Sequence, residues 1–345
     1  MLIPEFAHQS GVALTWPHTR SDWRELLADI TPVYIEIARA VTATERLLVI
    51  CYDDAHREAV RHTLATAGVA MGRIRFVCVA SNDTWIRDYG PLCTASHDTT
   101  ILHHFTFDGW DGKYPASLDN AVTVTLHAAG VFGELELRDH SLVLEGGSID
   151  YDGCGSLLTT SRCLTQTGRN PGVDRTEMTQ LLRDSLGVEQ VLWLDHGEII
   201  GDDTDGHIDM LARFCSKDTI AFSGCDRPDD PHYTPLGAMA AQLETFTNTA
   251  GQPYRLVPLP LPQPCYDADN RRLPASYANF LILNDTVLMP AYNDPADTTA
   301  TRALAECFPT RDIIPIDCRP LIRQGGSLHC ATMQLPAGVL VNTDG

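Results

Sequence analysis

Basic residues are scarce in this sequence of 345 residues: 25 Lys and Arg stand against 45 Asp and Glu, which gives a formal net charge of −20. A negative field of this size repels nucleic acid and anionic membranes, so neither is expected as a partner. A small cationic molecule is a better match. The same charge also serves solubility, and the charge alone does not separate these two interpretations.

The sequence also lacks any apolar run of ~18 residues, so no transmembrane helix is predicted. The opening stretch, MLIPEFAHQSGVALTWP, has neither the basic nor the apolar region of a secretory signal. None of the 11 cysteines forms a Cys-x-x-Cys pair, so paired zinc-ligand spacing is missing. We therefore expect a cytoplasmic location and cysteines that are mostly reduced and buried.

Helix-type and strand-type patterns alternate along the chain, which predicts the α/β class. Strands are predicted over 46–53, 74–80, 190–195 and 312–318, a hairpin over 279–290, and helices over 22–44 (interrupted near Pro32), 54–67, 174–186, 231–250 and 297–307. The Pro-rich segment 250–276 is interpreted as a long surface loop. No linker-like stretch divides the sequence, so we expect a single domain over residues 1–345.

A faint internal repeat is present. LVLEGGSID (142–150) is similar to LIRQGGSLH (321–329), and apolar strands begin near residues 76, 142, 191, 256 and 313. The spacing of roughly 50–65 residues lies a little above the repeat lengths typical of propellers and arrays. These features indicate two similar strand–turn units that face a common centre.

Four loops at strand ends are rich in polar residues, and α/β proteins tend to place their binding residues at such positions. The loops are SNDTWIRDYGP (81–91), LEGGSID (144–150), GDDTDGHIDM (201–210) and GGSLHC (325–330).

In the third loop, His207 and Asp209 are two residues apart in a segment whose alternation predicts a strand, so both side chains would lie on one face. A solvated edge strand explains the pattern equally well. A calcium loop is excluded, because its first and twelfth positions would be Gly201 and Ala212 rather than acidic ligands.

Glu145 ends an apolar strand in the second loop, where a carboxylate is costly unless it is paired. Gly146 and Gly147 allow close backbone approach or a positive φ. An ordinary turn with an exposed Glu is the alternative.

The first loop places the aromatic face of Trp85 three residues before the Asp88 carboxylate, a combination that suits a cationic ligand with an alkyl stem. Arg87 is expected to form a structural salt bridge.

In the fourth loop, a Gly-Gly-Ser turn can expose the Cys330 thiol, and a nearby histidine can favour its thiolate. His329 is adjacent, but adjacent side chains point apart in an extended segment. We therefore expect His207 to be the partner of Cys330, and His329 and the other ten cysteines to be structural.

Together, NDTWIRDYGP, LEGGSID, TDGHID and GGSLHC resemble the agmatine deiminase family, which is grouped with the Porphyromonas-type peptidylarginine deiminases in the guanidino-group-modifying superfamily. FDGWDGKYPASLDN (107–120) and TSRCLTQTGRNP (160–171) also match, and the resemblance runs from about Trp16 to Gln334. Two departures are Gly-Gly-Ser327, where many members have Gly-Gly-Asn, and Asp-Tyr-Gly at 88–90 in place of Asp-Ser-Gly.

The resemblance implies a five-bladed α/β propeller of pseudo-symmetric ββαβ units around a central active-site pocket, with no metal and no cofactor. The implied roles are a nucleophile, Cys330; an acid/base, His207; guanidinium carboxylates, Asp88 and Asp209; a carboxylate pairing with His207 and substrate, Glu145; and further substrate contacts, Trp85, Gly146 and Gly325.

The implied reaction is hydrolysis of agmatine to N-carbamoylputrescine and ammonia through a covalent amidino-thioether on cysteine. Deimination of free arginine or of a C-terminal peptidyl arginine, and amidino transfer to an amine, remain alternatives. A metal-dependent amidinohydrolase and a non-catalytic polyamine-binding protein are rivals from other classes. Homodimerisation is a further prediction.

Overall fold

The computed structural model describes residues 1–96 and 99–341, and within them 16 strands form five small sheets. In chain order the strands are β1 Gln9–Thr15, β2 Arg46–Cys51, β3 Ile74–Cys78, β4 Leu92–Ser96, β5 Thr99–Thr106, β6 Glu136–Val143, β7 Ile149–Tyr151, β8 Ser156–Thr160, β9 Gln190–Leu194, β10 Ala212–Ser216, β11 Thr219–Ser223, β12 Arg255–Leu259, β13 Leu281–Ile282, β14 Thr286–Ala291, β15 Asp312–Asp317 and β16 Met333–Pro336.

The α-helices of the described residues are α1 Leu27–Thr44, α2 Asp54–Thr66, α3 Ile86–Tyr89, α4 Ser117–Asn120, α5 Val122–Ala128, α6 Ser161–Leu164, α7 Arg175–Leu186, α8 Tyr233–Leu243 and α9 Ala296–Cys307. No helix in this part of the chain is long and apolar enough to cross a membrane. Short 3-10 turns occur at Arg24–Leu26, Met71–Arg73, Gly146–Ser148, Ile208–Met210 and Leu321–Gln324.

Four sheets repeat one pattern: β4-β5-β6, β7-β8-β9, β10-β11-β12 and β13-β14-β15. In each, the first two strands are antiparallel and the third is parallel to the second. A parallel pair needs a crossover, and helices occupy that connection in all four. Each sheet with its helices is therefore a ββαβ unit.

The fifth sheet, β16-β1-β2-β3, joins the two ends of the chain. Strand β16 pairs antiparallel with β1, with Ala13 opposite Met333, and β1 continues through α1 to the parallel strand β2. This sheet is the same unit with its first strand supplied from the far end of the sequence and β3 added at its edge. The chain thus holds the five expected units.

The strand spacing seen in the sequence has a structural basis. The last strands of the sheets β6, β9, β12 and β15 begin at residues 136, 190, 255 and 312, and the added strand β3 begins at 74. The predicted start near 142 is wrong by six residues (142 − 136), because β6 opens with the polar residues ELRDH, which lie mostly on the surface.

Three local predictions are corrected. Helix α8 ends at Leu243 rather than near 250. The segment 250–276 contains strand β12, in which Val257 and Leu259 are buried; Pro258 is compatible with it because β12 is an edge strand. Helix α1 continues through Pro32 without interruption. The hairpin predicted over 279–290 is confirmed. The helix predicted over 174–186 is confirmed as well, and the carboxylate of Asp174 caps it by accepting from two backbone N–H groups of α7.

Candidate active site

A pocket of about 410 Å³, its open mouth included, lies where the first, third and fourth polar loops meet. Its walls present four carboxylates, three aromatic rings, two glycines of the fourth loop and one thiol. These are Asp22, Asp83, Asp88 and Asp203; Trp85, Trp110 and Tyr114; Gly325 and Gly326; and Cys330. No Lys or Arg is among the described residues that line this pocket.

Asp88 lies on the single-turn helix α3, with Trp85 at the helix N-cap. Its two oxygens accept hydrogen bonds at 2.9 Å from the backbone N–H of Gly147 and from Nε1 of Trp110. Burial raises the pKa of Asp88 well above its usual value, and the charges of Asp209 and Glu145 add to the effect. The carboxylate is fixed in orientation, and a cation in the pocket would stabilise its charged form.

Gly147 brings three predicted site residues together. A Cβ atom on it would lie 2.7 Å from Nδ1 of His207, 2.8 Å from Oδ1 of Asp88 and 3.1 Å from Oδ2 of Asp209. Glycine is therefore required here so that the three polar groups can converge. Gly146, a predicted substrate contact, lies so close to the backbone of Arg87 that a Cβ atom on it would be 2.2 Å from the Arg87 carbonyl oxygen.

His207 is fully buried, and neither ring nitrogen has a hydrogen-bond partner among the described residues. Its Nδ1 lies 3.6 Å from Oδ1 of Asp88. Burial lowers the pKa of His207 to about 3 and outweighs the opposing charge of Asp209. The ring is therefore neutral at pH 7, with a nitrogen lone pair that can take a proton.

Glu145 is also fully buried, and it is paired as its position at a strand end requires. Its Oε1 accepts a hydrogen bond of 2.7 Å from Nε of Arg169, while its Oε2 has no partner within the described chain. Burial raises the pKa of Glu145 although Arg169 opposes the shift. One carboxylate oxygen thus stays available to a donor beside His207.

Asp209 belongs to a chain of buried charges that runs through His329 to Glu5. Nδ1 of His329 lies 2.8 Å from Oδ2 of Asp209, and Nε2 lies 2.7 Å from Oε2 of Glu5. The ring of His329 thus bridges the two carboxylates through both of its nitrogens. Burial raises the pKa of Asp209, but the hydrogen bond and charge of His329 bring it below its usual value. Oδ1 of Asp209 has no partner in the described residues.

Cys330 is 5% exposed, and its Sγ lies 3.3 Å from Nδ2 of Asn279 and 3.6 Å from Oδ2 of Asp209. Burial raises the pKa of the Cys330 thiol well above its usual value, and the charges of Asp209 and Asp88 raise it further. In the substrate-free pocket the group is therefore a thiol rather than a thiolate.

Two local arguments from the sequence are wrong, although the residues they concern meet at the site. The segment 208–210 forms a 3-10 turn, and the strand β10 begins only at Ala212, so His207 and Asp209 do not share a strand face. The segment around Cys330 is a tight turn, in which the N–H of Ala331 donates to the carbonyl of Ser327. His329 and Cys330 both contact Asp209, so His329 is oriented toward the site's carboxylate.

The salt bridge predicted for Arg87 is present: its Nη2 lies 3.7 Å from Oε2 of Glu5, and its Nε donates to the carbonyl of His329. Glu5, Asn279, Trp110 and Arg169 are contributors that the sequence reasoning did not assign. Trp110 and Arg169 lie within FDGWDGK and TQTGRNP, so those motifs were the available signal. No local pattern marks Glu5 or Asn279, because they reach the site only through the closure of the fold.

Five ββαβ units that surround a buried cysteine, a neutral histidine and convergent carboxylates define the class of guanidino-group-modifying enzymes. The comparisons agree with this class. The family model of the Porphyromonas-type peptidyl-arginine deiminase matches residues 1–336. The agmatine deiminase of Stutzerimonas stutzeri (strain A1501) is 32% identical over 355 aligned positions, which cover 96% of this chain and 94% of that protein.

Solved structures give the same result. The agmatine deiminase of C. jejuni, solved as a Cys→Ser variant with substrate bound, superposes with a TM-score of 0.90 at 36% identity and covers 98% of this chain and 96% of its own. A structure from Porphyromonas gingivalis, provisionally described as an arginine deiminase, has a TM-score of 0.93 at 44% identity, with 99% of each chain covered. The predicted α/β propeller is confirmed.

The chain belongs to the Porphyromonas-type peptidyl-arginine deiminase family. It is an enzyme of the guanidino-group-modifying hydrolase type.

Proposed function

We propose that this enzyme is an agmatine deiminase, which hydrolyses agmatine to N-carbamoylputrescine and ammonia with Cys330 as the nucleophile. The observation that carries the proposal is the convergence of Asp88, Asp209 and His207 around Gly147, with the thiol of Cys330 3.6 Å from Asp209. Agmatine deiminases among the relatives align over nearly the whole chain.

The substrate guanidinium is planar and carries its N–H donors in a fixed fork that matches carboxylate oxygens. Oδ1 of Asp209 and Oε2 of Glu145 are buried acceptors without a partner in the described residues. A guanidinium held by these oxygens and by Asp88 satisfies them and presents its carbon to the sulfur. The binding role of these three carboxylates is part of the proposal.

Substrate binding also activates the nucleophile. The cation offsets the charges of Asp88 and Asp209, which together with burial hold the pKa of the Cys330 thiol high. The pKa of the thiol falls in the complex, and its proton passes to His207. The side-chain amide of Asn279, whose Nδ2 lies 3.3 Å from Sγ, then donates a hydrogen bond that stabilises the thiolate.

The thiolate attacks the guanidinium carbon and forms a C–S bond. His207 returns its proton to one terminal nitrogen, which leaves as ammonia, and the product is a cationic amidino-thioether on Cys330. Water attacks the same carbon and gives one proton to His207. The C–S bond then breaks, and the departing sulfur takes that proton from His207, which restores the thiol and the neutral imidazole. The remaining hydroxyl proton passes to solvent as the neutral ureido product leaves. The reaction as written uses no metal and no cofactor.

The pocket walls indicate the substrate tail. Asp22, Asp83 and Asp203 line the pocket beyond Asp88, and no Lys or Arg of the described residues joins them. The amine of agmatine is favoured in such a field, and the α-carboxylate of arginine is repelled. The rings of Trp85 and Trp110 offer apolar surface to the methylene chain between the two charged ends.

Four further properties are carried forward as predictions: a cytoplasmic location, no nucleic-acid partner, a homodimer, and a single domain over residues 1–345. The location and the absence of a nucleic-acid partner rest on the charge and composition, and the single domain rests on the continuous run of predicted elements.

The test is ammonia release from agmatine, free arginine and a dipeptide with C-terminal arginine, with Cys330→Ala as the control variant. We expect release from agmatine at a kcat/KM well above the other two and none from the variant. Preference for either arginine substrate, or full activity in Cys330→Ala, would overturn the proposal. Inactivation by a chelator and not by iodoacetamide would favour the metal-dependent rival, and loss of the amidino group without ammonia release would favour the transferase.

A further inference from the structure

A buried cysteine that the reaction does not use lies beside two residues that it does use. Cys163 is on the short helix α6, in the motif TSRCLTQTGRNP, and is fully buried. A carboxylate oxygen of Glu145, the sulfur of Cys163 and a ring nitrogen of His207 all lie within 4.8 Å of one another.

Two members of this group have orphaned polar atoms. Oε2 of Glu145 and both ring nitrogens of His207 are buried and have no hydrogen-bond partner in the described part of the chain. The other oxygen of Glu145 is held by Arg169 at 2.7 Å, which fixes the carboxylate with its free oxygen available. A carboxylate, a thiol and an imidazole with available lone pairs are the donor set of a borderline-soft divalent cation.

We propose that Glu145, Cys163 and His207 form a binding site for Zn²⁺ or a similar soft divalent cation, and that an ion bound there inhibits the enzyme. Three protein ligands leave a fourth tetrahedral position for water. Bond lengths of about 2.0–2.3 Å place tetrahedral ligand atoms roughly 3.3–3.8 Å apart. The three side chains therefore need to close by no more than roughly 1.5 Å from their present separation.

Binding releases one proton to solvent, because Cys163 must coordinate as a thiolate while His207 coordinates through its neutral ring. Inhibition follows from the shared residue: an imidazole nitrogen bound to the ion can no longer carry a proton between Cys330 and the leaving nitrogen. This consequence, but not the binding itself, rests on the proposed function of His207.

The binding test uses Co²⁺ as the probe, because a cobalt–thiolate bond gives a charge-transfer band in the near ultraviolet. Purified full-length protein is titrated as wild type, Cys163→Ser, Cys330→Ser and Cys51→Ser, the last being a matched control at another fully buried cysteine. We expect the band in the wild type, the Cys330 variant and the Cys51 variant, and its loss in Cys163→Ser. An unchanged band in Cys163→Ser, or its loss in Cys330→Ser, would place the ligand elsewhere and overturn the proposal.

Should Cys163→Ser fail to fold, the wild type and Cys330→Ser still decide the question. Co²⁺ slows the alkylation of a cysteine that it coordinates. Because Cys163 is buried, the folded Cys330 variant is alkylated for long enough to label Cys163 in the metal-free protein, and peptide mapping must then show that Co²⁺ protects Cys163. Protection of a different cysteine, or of none, contradicts the site.

The second test is inhibition. Zn²⁺ is expected to inhibit ammonia release by the wild type, whereas Cys163→Ser is expected to keep its activity. Removal of a residue that only supports a metal ligand lowers metal affinity roughly 10- to 100-fold, so loss of the ligand Cys163 should raise the inhibition constant of Zn²⁺ by at least this factor. Equal inhibition of both proteins would refute the inhibitory role. Co²⁺ binding at Cys163 without any deiminase activity would instead refute the proposed function and leave the metal site standing.

Discussion

Replacing Asp209 by Asn is expected to change the reactivity of the free thiol and the rate of turnover in opposite directions. Oδ2 of Asp209 lies 3.6 Å from Sγ of Cys330, and its charge is the largest electrostatic cause, after burial, of the raised pKa of that thiol. The same carboxylate is a proposed receptor of the substrate guanidinium. One substitution therefore removes an obstacle to thiolate formation and a contact that catalysis needs.

The size of the first effect follows from the distance. Two unit charges about 4 Å apart interact by about 4 kcal/mol at an effective dielectric constant of about 20, and the neighbouring His329, which lowers the pKa of Asp209, offsets part of this. The charge of Asp209 therefore destabilises the Cys330 thiolate by about 1.4 to 4 kcal/mol. Each 1.4 kcal/mol raises the thiolate fraction about tenfold, while the lower basicity costs about threefold in intrinsic reactivity. Alkylation of the free enzyme should therefore accelerate roughly 3- to 30-fold.

The second effect is a loss. Truncating one partner of a buried charged hydrogen bond costs about 2–5 kcal/mol, or roughly 30- to 4,000-fold in kcat/KM for agmatine. The assay pairs iodoacetamide inactivation at pH 8 without substrate with ammonia release at the same pH, and peptide mapping assigns the alkylation to Cys330. If Asp209→Asn slows alkylation, or leaves kcat/KM within threefold of the wild type, the electrostatic reasoning is refuted.

Three further outcomes are expected. Gly147→Ala should lower kcat roughly 100-fold without unfolding the protein, because its Cβ would lie 2.7 Å from Nδ1 of His207 and displace the ring. Near-normal kcat in a folded variant would show that the close approach of Gly147 to His207 is not needed. Asp203→Asn should raise KM for agmatine roughly 2- to 12-fold but leave KM unchanged for butylguanidine, which keeps the guanidinium and lacks the tail amine; equal effects on both substrates would refute the argument that Asp203 binds the tail amine. Burial raises the pKa of Glu5, but the charges of Arg213 and His329 outweigh burial and hold this pKa far below 4.5. The ionised Glu5 therefore contributes its whole stabilisation at pH values above 4.5, and this contribution is lost as the pH falls below 4.5. Glu5→Gln should lower the free energy of unfolding at pH 7 by about 3–5 kcal/mol and flatten its acid dependence, which urea titrations at several pH values can measure.

Much of the architecture could be predicted from the sequence, because each ββαβ unit has a recognisable local sequence pattern. Apolar runs bounded by polar turns marked β2, β3, β9 and β15, and their spacing indicated a repeat. Strand β12 lay within a segment interpreted as a loop, because a proline at an edge strand leaves the same local pattern as a turn. Strand β16, at the far end of the chain, pairs with β1 in the sheet β16-β1-β2-β3, and no local sequence pattern predicts such a long-range pairing.

The site residues that lie in sequence motifs could be predicted, whereas those that reach the site only through long-range contacts of the fold could not. His207, Asp88 and Asp209 stand in the polar-loop motifs and meet around Gly147, and Cys330 lines the same pocket as Asp88. Glu5 reaches His329 across 324 residues, and its role depends on the closure of the ring of units. The local geometry was the weakest part, because the alternation around Asp209 reflects a 3-10 turn before a strand rather than the strand itself.

The most direct measurement of the central claim is the covalent intermediate itself. Wild-type enzyme mixed with excess agmatine is quenched in acid within one turnover, digested and examined by mass spectrometry, with Cys330→Ala treated in parallel. The account predicts an adduct on the peptide containing Cys330 with the mass of agmatine less ammonia, and none in the variant. Turnover of agmatine with no adduct at Cys330, or an adduct on another cysteine, would contradict it.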